Sequence, residues 1–142
     1  MNESLSDKSL NNLLKKISTK NLSSESLAHF IRYHLKLDVP SHQRKWIDEL
    51  SSSNADLIVL APRAHGKTTV FCRAYPEHFT LTKANRRVLI ISKTHSQAEK
   101  SLDLIEHDLT RNADILADFN DELADFRRKH NMLFFQPNES NA

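Results

Sequence analysis

Glycine is nearly absent from this chain of 142 residues, which has one glycine where average composition would supply about ten. Cysteine is equally rare, and the single Cys72 excludes an internal disulfide and a cysteine-rich zinc site. The longest apolar runs, Leu57–Ala61 and Val88–Ile91, are far too short to span a membrane. The N-terminal sequence MNESLSDKSL lacks the apolar segment of a signal peptide. We therefore expect a cytoplasmic protein in a reducing compartment.

The charged residues are unevenly distributed along the chain. Residues 1–100 contain 16 Lys and Arg against 9 Asp and Glu, whereas residues 101–142 contain 4 against 9. A basic body suits a polyanionic partner such as a nucleic acid or a nucleotide, although a mixed solvated surface gives similar counts. The overall composition, with 39% hydrophobic and 27% charged residues, is typical of a folded globular domain.

The N-terminal third is predicted to be helical after a polar arm at residues 1–22. Its apolar residues recur three and four positions apart, which is typical of the buried face of a helix. One such face lies before a break at Leu37–Pro40, and it comprises Leu27, Phe30, Ile31 and Leu35. A second face follows Ser41, which stands where a helix cap belongs, and it comprises Trp46, Ile47 and Leu50.

Two apolar runs that do not alternate with polar residues predict strands buried on both faces, as in a parallel sheet. They are Asp56–Ala61 and Arg87–Ser92. Between them a helix is predicted from Lys67 to about Tyr75, where Pro76 stops or kinks it. A strand, a crossover helix and a second strand in this order form a βαβ unit.

Another helix is predicted after the second apolar run. Ser96-x-x-Glu99 is the pattern of a capping box. Four apolar residues then form one stripe, namely Ala98, Leu102, Ile105 and Leu109. Residues 115–128 are predicted to be helical or mixed, and Met132–Phe135 to be a short strand. Together these elements predict an α/β fold of P-loop NTPase type, with a partial parallel sheet (a βαβ core) and N-terminal helices.

The lone glycine, Gly66, lies between the first predicted strand and its helix. Residues 61–68 fit the phosphate-binding template G-x-x-x-x-G-K-[ST], with Ala61 at the first glycine position. A loop that wraps a triphosphate brings its backbone close to the phosphates, and a side chain at Gly66 would obstruct that approach. The helix that follows adds its free N–H groups and its positive end. We predict that Lys67 contacts the β- and γ-phosphates and that the Thr68 hydroxyl binds Mg²⁺.

The other residues of this loop have different expected roles. Ala64, His65 and Thr69 are predicted to complete the phosphate-binding loop, with His65 shaping the loop or facing solvent rather than acting as a catalyst. Arg63 can lie beside the γ-phosphate and stabilise charge in the transition state, as an arginine finger does. The alternative for Arg63 is a surface arginine that points into solvent.

The string APRAHGKTT, residues Ala61–Thr69, resembles the variant Walker A loop in the large subunit of tailed-phage terminases, the DNA-packaging motor. The similarity continues upstream in Pro40–Trp46. Downstream it includes Ala74–Pro76 and Arg87–Glu99. In all it covers about residues 25–120, and it identifies residues 23–142 as the N-terminal portion of a terminase-like ATPase domain.

This resemblance implies a nucleotide site and a set of partners. It implies that Gln43 or His42 contacts adenine, which suits an amide because an amide both donates and accepts at a purine edge. It implies ATP and Mg²⁺ as cofactors. It also implies double-stranded DNA, a phage portal and a terminase small subunit as partners, in the cytoplasm of a bacterial host, with homo-oligomers only for the full-length protein. Candidate DNA contacts are Lys83, Arg86, Arg87 and Lys93.

The sequence also departs from the family pattern. No apolar run ends in the paired acidic residues of a Walker B strand, and the acidic cluster of the nuclease domain has no counterpart. The resemblance therefore implies ATP binding and leaves hydrolysis by this chain open. Three interpretations follow: a portion of a terminase large subunit, a fragment of a helicase-type P-loop motor, and a nucleotide-binding remnant without turnover.

Overall fold

The computed structural model describes residues 10, 14, 26–52, 56–83, 87–124, 126–129 and 132–134. The helices are α1 Leu27–Tyr33, α2 Ser41–Ser52, α3 Lys67–Thr69, α4 Tyr75–Thr82, α5 His95–Arg111, α6 Ala113–Asp118 and α7 Asn120–Leu123. A π-helical segment, Val70–Ala74, joins α3 to α4. Strands β1 Arg127–Lys129 and β2 Met132–Phe134 form an antiparallel pair. Within these ranges no helix combines the length and the apolar character that crossing a membrane requires.

The prediction of a parallel sheet is wrong. Across the described ranges the sheet consists of β1 and β2 alone, and residues 56–61 and 87–92 have no regular secondary structure. These segments expose apolar side chains, most of all Ile58 (85%), Leu60 (91%), Leu89 (82%) and Ile91 (81%). An apolar run predicts burial, but a strand forms only where a neighbouring strand takes up its N–H and C=O groups. The α/β fold with a βαβ core of P-loop NTPase type is therefore replaced by a mostly helical fold.

Helix α1 lies at the centre of the core. Ser26 caps it, because the Ser26 hydroxyl accepts a hydrogen bond from the His29 N–H at 3.3 Å. Its predicted apolar face is confirmed, since four side chains of this segment are buried: Leu27, Phe30, Ile31 and Leu35. Helix α1 packs against α2, the π segment and α4. Of the predicted arm, Leu10 and Leu14 are described, and both are helical and exposed; the rest of that prediction lies outside the described residues.

The helix after Gly66 does not end at Pro76 but continues to Thr82. A proline inside a regular α-helix lacks the N–H donor, and its ring collides with the carbonyl four residues earlier. The wider π segment ends directly before the helical turn that contains Pro76, so the irregularity lies where the proline requires it. Val70 and Ala74 of this segment are buried, and they connect the loop around Gly66 to the core.

Helix α5 begins one residue before the predicted capping box. Thr94 rather than Ser96 caps it, because the Thr94 hydroxyl accepts a hydrogen bond from the Gln97 N–H at 3.3 Å. On the predicted stripe Ile105 and Leu109 are buried. The predicted C-terminal strand is confirmed as β2, and Arg128 of β1 holds the hairpin against α5 through Asp103 and Glu106, at 2.6 and 2.5 Å.

Two buried polar clusters connect distant parts of the chain. In one, His34 Nε2 lies 3.2 Å from Asp118 Oδ2, and burial lowers the pKa of His34 although Asp118 acts in the opposite direction. In the other, Arg73 Nε donates to Asp108 Oδ2 at 2.6 Å and lies 3.9 Å from Glu77 Oε1. The Glu77 side chain is fully buried, and neither of its oxygens has a hydrogen-bond partner among the described residues. The pKa of Glu77 is raised well above its ordinary value, mainly by burial and secondly by the negative charge of Asp108.

Candidate functional site

The turn at residues 63–66 joins the irregular segment 56–62 to α3. Two of its residues have left-handed backbone angles, Ala64 with φ +64° and Gly66 with φ +78°. Glycine adopts this conformation without steric cost, whereas for alanine it costs roughly 1 kcal/mol of conformational free energy. The lone glycine of the chain therefore lies at the end of the turn, directly before the first residue of helix α3.

Lys67 closes the loop. Its ammonium donates hydrogen bonds to Ala61 O at 2.5 Å and to Pro62 O at 2.6 Å. A lysine ammonium has three N–H donors, so one remains for a ligand. The side chain thus lies half-buried at the base of the loop, with its charge fixed beside the start of α3.

A cavity of about 440 Å³ lies in this loop and is lined by residues 63–69. The first hydrogen bond of the helix runs from the Val70 N–H to Gly66 O at 3.0 Å. The N–H groups of the three residues of α3 consequently have no acceptor within the helix. Arg63 and Lys67 supply positive charge, and the sequence from Leu57 to Pro76 contains no Asp or Glu. Free N–H donors and two cations around a cavity favour an anionic ligand.

The remaining predicted residues of the loop differ in exposure. Arg63, His65 and Thr68 are exposed, and Thr69 is half-buried. The His65 ring is bonded back to the loop, because its Nδ1–H donates to Arg63 O at 2.9 Å. This bond supports the prediction that His65 shapes the loop. The Arg63 side chain makes no ion pair with the carboxylates of the described ranges, so its guanidinium is available at the cavity.

Gln43 and His42, for which the resemblance implies adenine contact, lie directly against this loop. Gln43 Nε2 donates to His65 O at 3.1 Å, and His42 Nε2 lies 3.2 Å from the same oxygen. A β-carbon built on Gly66 would stand 2.3 Å from Gln43 Nε2. The fold thus brings together two sets of predicted site residues that are more than 20 positions apart. The contact with His65 O has no signal in the sequence.

A series of ring contacts attaches the loop to α2 and to the π segment. The centroids of His65 and His42 are 5.5 Å apart, those of His42 and Trp46 are 5.2 Å apart, and those of Trp46 and Phe71 are 5.8 Å apart. The sequence pattern places Trp46 on the apolar face of its helix, but it indicates no contact of Trp46 or Phe71 with the loop. The spacing of His42 and Trp46, four positions apart on one helix, is the signal that places their rings together.

Neither a metal cluster nor a DNA surface is defined by these residues. In the part of the chain that the structure describes, no three His, Cys, Asp or Glu side chains are grouped so that they could hold a metal ion. Thr68 offers one exposed hydroxyl at the cavity, which fits a Mg²⁺ ion held mainly by phosphate oxygens. Of the candidate DNA contacts, Lys83, Arg87 and Lys93 are exposed, and Arg86 lies outside the described residues.

Comparisons of the chain with protein-family models, with curated proteins and with solved structures give no match. The terminase resemblance of the loop and its flanking segments therefore stays a prediction.

Proposed function

We propose that this chain binds the triphosphate of ATP, together with Mg²⁺, in the loop formed by residues 63–69. The observation that carries the proposal is the left-handed Gly66, which is followed at once by Lys67 and a helix start at a cavity of about 440 Å³. This is the arrangement in which a backbone can approach phosphates closely and surround them with N–H donors. The quoted motifs support assigning the chain to the N-terminal portion of a terminase-type DNA-packaging ATPase.

Each loop residue has a role in this proposal. The free N–H of Lys67 and the N–H groups at the start of α3 bind phosphate oxygens. Arg63 reaches the terminal phosphate from the exposed side of the loop. Thr68 contacts Mg²⁺, which neutralises part of the phosphate charge when it is bound.

Double-stranded DNA is the proposed macromolecular partner, and the bacterial cytoplasm is the proposed location. The exposed cations Lys83, Arg87 and Lys93 support a polyanionic partner, as does the excess of basic residues over residues 1–100. A portal protein and a terminase small subunit are further partners by the same resemblance.

The proposal is tested by equilibrium binding of a fluorescent ATP analogue with Mg²⁺ to the wild type and to Lys67→Ala. We expect the substitution to weaken binding by more than about tenfold, because charge-assisted hydrogen bonds to phosphate contribute about 1.5–3 kcal/mol. Lys100→Ala, which removes an exposed lysine on α5, is the matched control and should bind as the wild type does. Equal binding by all three proteins, or no binding by the wild type, would contradict the proposal.

A phosphate-release assay on the same proteins separates the open interpretations. Binding without turnover, lost in Lys67→Ala, favours a nucleotide-binding portion or remnant. Turnover that is lost in Lys67→Ala favours a chain that is a working ATPase by itself.

A further inference from the structure

The peptide bond between His65 and Gly66 in the loop is held by hydrogen-bond donors from helix α2. Gln43 Nε2 donates to the His65 carbonyl oxygen at 3.1 Å, and His42 Nε2–H donates to the same oxygen at 3.2 Å. A carbonyl oxygen has two lone pairs and can accept both bonds. Two donors on one oxygen fix the orientation of that peptide plane.

The orientation of this peptide decides where the Gly66 N–H points. In a trans peptide the C=O and N–H bonds point in opposite directions, and the described residues contain no cis peptide. Because the His65 carbonyl is bonded to α2, the Gly66 N–H points away from α2. The His65 carbonyl oxygen, which would repel an anion, is thereby turned towards His42 and Gln43 of α2, while His65 and Gly66 both belong to the described lining of the loop cavity.

Helix α2 is a firm support for these two donors. Ile47 is only 3% exposed and fixes α2 to the core. The Trp46 ring packs on Phe71 of the π segment, with centroids 5.8 Å apart. Gln43 also lies against the bare α-carbon of Gly66, where any larger residue would displace the amide. The loop and α2 are therefore fitted to each other at this point.

We infer that Gln43 is a positioning residue, which with His42 holds the His65–Gly66 peptide in the orientation that binds phosphate. The inference rests on the proposed phosphate binding. It assigns to Gln43 an action on the triphosphate site that does not depend on the base of the nucleotide. Removal of the amide should then weaken every ligand that carries the same phosphates.

The test compares MgATP, MgGTP and inorganic tripolyphosphate as ligands of the wild type and of Gln43→Met. Methionine has a similar length to glutamine but has no N–H donor. We expect the dissociation constants of all three ligands to rise by about five- to tenfold, because a smaller fraction of chains then holds the peptide in the binding orientation. Ser52→Ala changes a neutral exposed residue at the other end of α2, and it should leave the three constants unchanged.

His42→Phe is a second, independent variant, since it retains a ring between His65 and Trp46 but removes the N–H. It too should weaken all three ligands to a similar extent, and it serves if Gln43→Met does not fold. Loss of ATP binding alone, with tripolyphosphate unaffected, would overturn the inference in favour of base recognition by Gln43. Unchanged binding of all three ligands would overturn it as well. If the wild type binds none of the three ligands, the proposed function itself fails. If the wild type binds them and the variants do not show the expected weakening, only the inference about Gln43 fails and the proposed function stands.

Discussion

The side-chain amide of Gln43 lies where a β-carbon on Gly66 would have to be, with Nε2 2.3 Å from that position. A side chain at Gly66, the glycine position of the phosphate-loop template, would therefore have to displace the end of the Gln43 side chain. Gly66 has φ +78°, which adds a backbone reason to the steric one. The backbone angle is therefore the main reason for glycine at this position, and the contact with Gln43 favours it further.

Gly66→Ala is expected to lower the free energy of unfolding by about 1–2 kcal/mol, because alanine is disfavoured at a left-handed φ. Urea unfolding measures this change. The cost should be smaller in a Gln43→Ala background, where the steric conflict is absent. Ala64→Gly is the matched control: it removes a left-handed alanine at φ +64°, and we expect stability within about 0.5 kcal/mol of the wild type or slightly above it. A Gly66→Ala protein as stable as the wild type would show that the loop does not have this conformation.

Ile58→Ala tests whether residues 56–61 lie outside a buried sheet. Ile58 is 85% exposed, so we expect its truncation to change the free energy of unfolding by less than about 0.5 kcal/mol. Ile115→Ala is the matched control, since Ile115 is fully buried and its truncation should cost about 2–5 kcal/mol. If the two substitutions lowered the free energy of unfolding by similar amounts, residues 56–61 would have to be a buried segment.

Glu77→Gln is expected to stabilise the protein at neutral pH. Burial raises the pKa of the Glu77 carboxyl and so favours its protonated form in the folded state, whereas the unfolded chain ionises it above the ordinary value of 4.5. The unfolded state then binds fewer protons, so the stability of the wild type falls as pH rises from about 4.5 towards the folded pKa. A glutamine is neutral at every pH and can donate to Asp108, and it should raise stability at pH 7 by on the order of 1 kcal/mol.

The measurement is urea unfolding of the wild type and Glu77→Gln between pH 4 and pH 8. The difference between the two proteins should grow as pH rises. Glu49→Gln changes an exposed glutamate on α2 and should stay within about 0.5 kcal/mol of the wild type throughout. A difference that is constant with pH, or a less stable Glu77→Gln protein at pH 7, would contradict a raised pKa of Glu77.

Features that depend on local sequence were predictable. The buried face of α1 follows from apolar spacing, and the helix start at Lys67 follows from the loop template. The strand β2 was also found, because a short apolar run between polar segments marks it. For the helix face and the helix start, neighbouring residues determine the conformation, whereas β2 also depends on its pairing with β1.

Features that depend on distant partners were not predictable. The runs at 56–61 and 87–92 have strand composition, but no sequence signal shows whether another strand takes up their backbone groups. The shift of a helix cap from Ser96 to Thr94 is a competition between two residues, two positions apart, that both suit the cap position. The bond from Gln43 to His65 joins two segments that only the tertiary fold brings together.

The central claim, that residues 63–69 hold a triphosphate, is tested most directly by thermal unfolding with and without MgATP. A ligand that binds only the native state stabilises it by about 2.7 kcal/mol at a concentration one hundred times its dissociation constant. For a domain of this size that corresponds to a rise in Tm of roughly 5–10 °C. We predict such a rise for the wild type and for Lys100→Ala, and none for Lys67→Ala. An unchanged Tm of the wild type at millimolar MgATP would contradict the account.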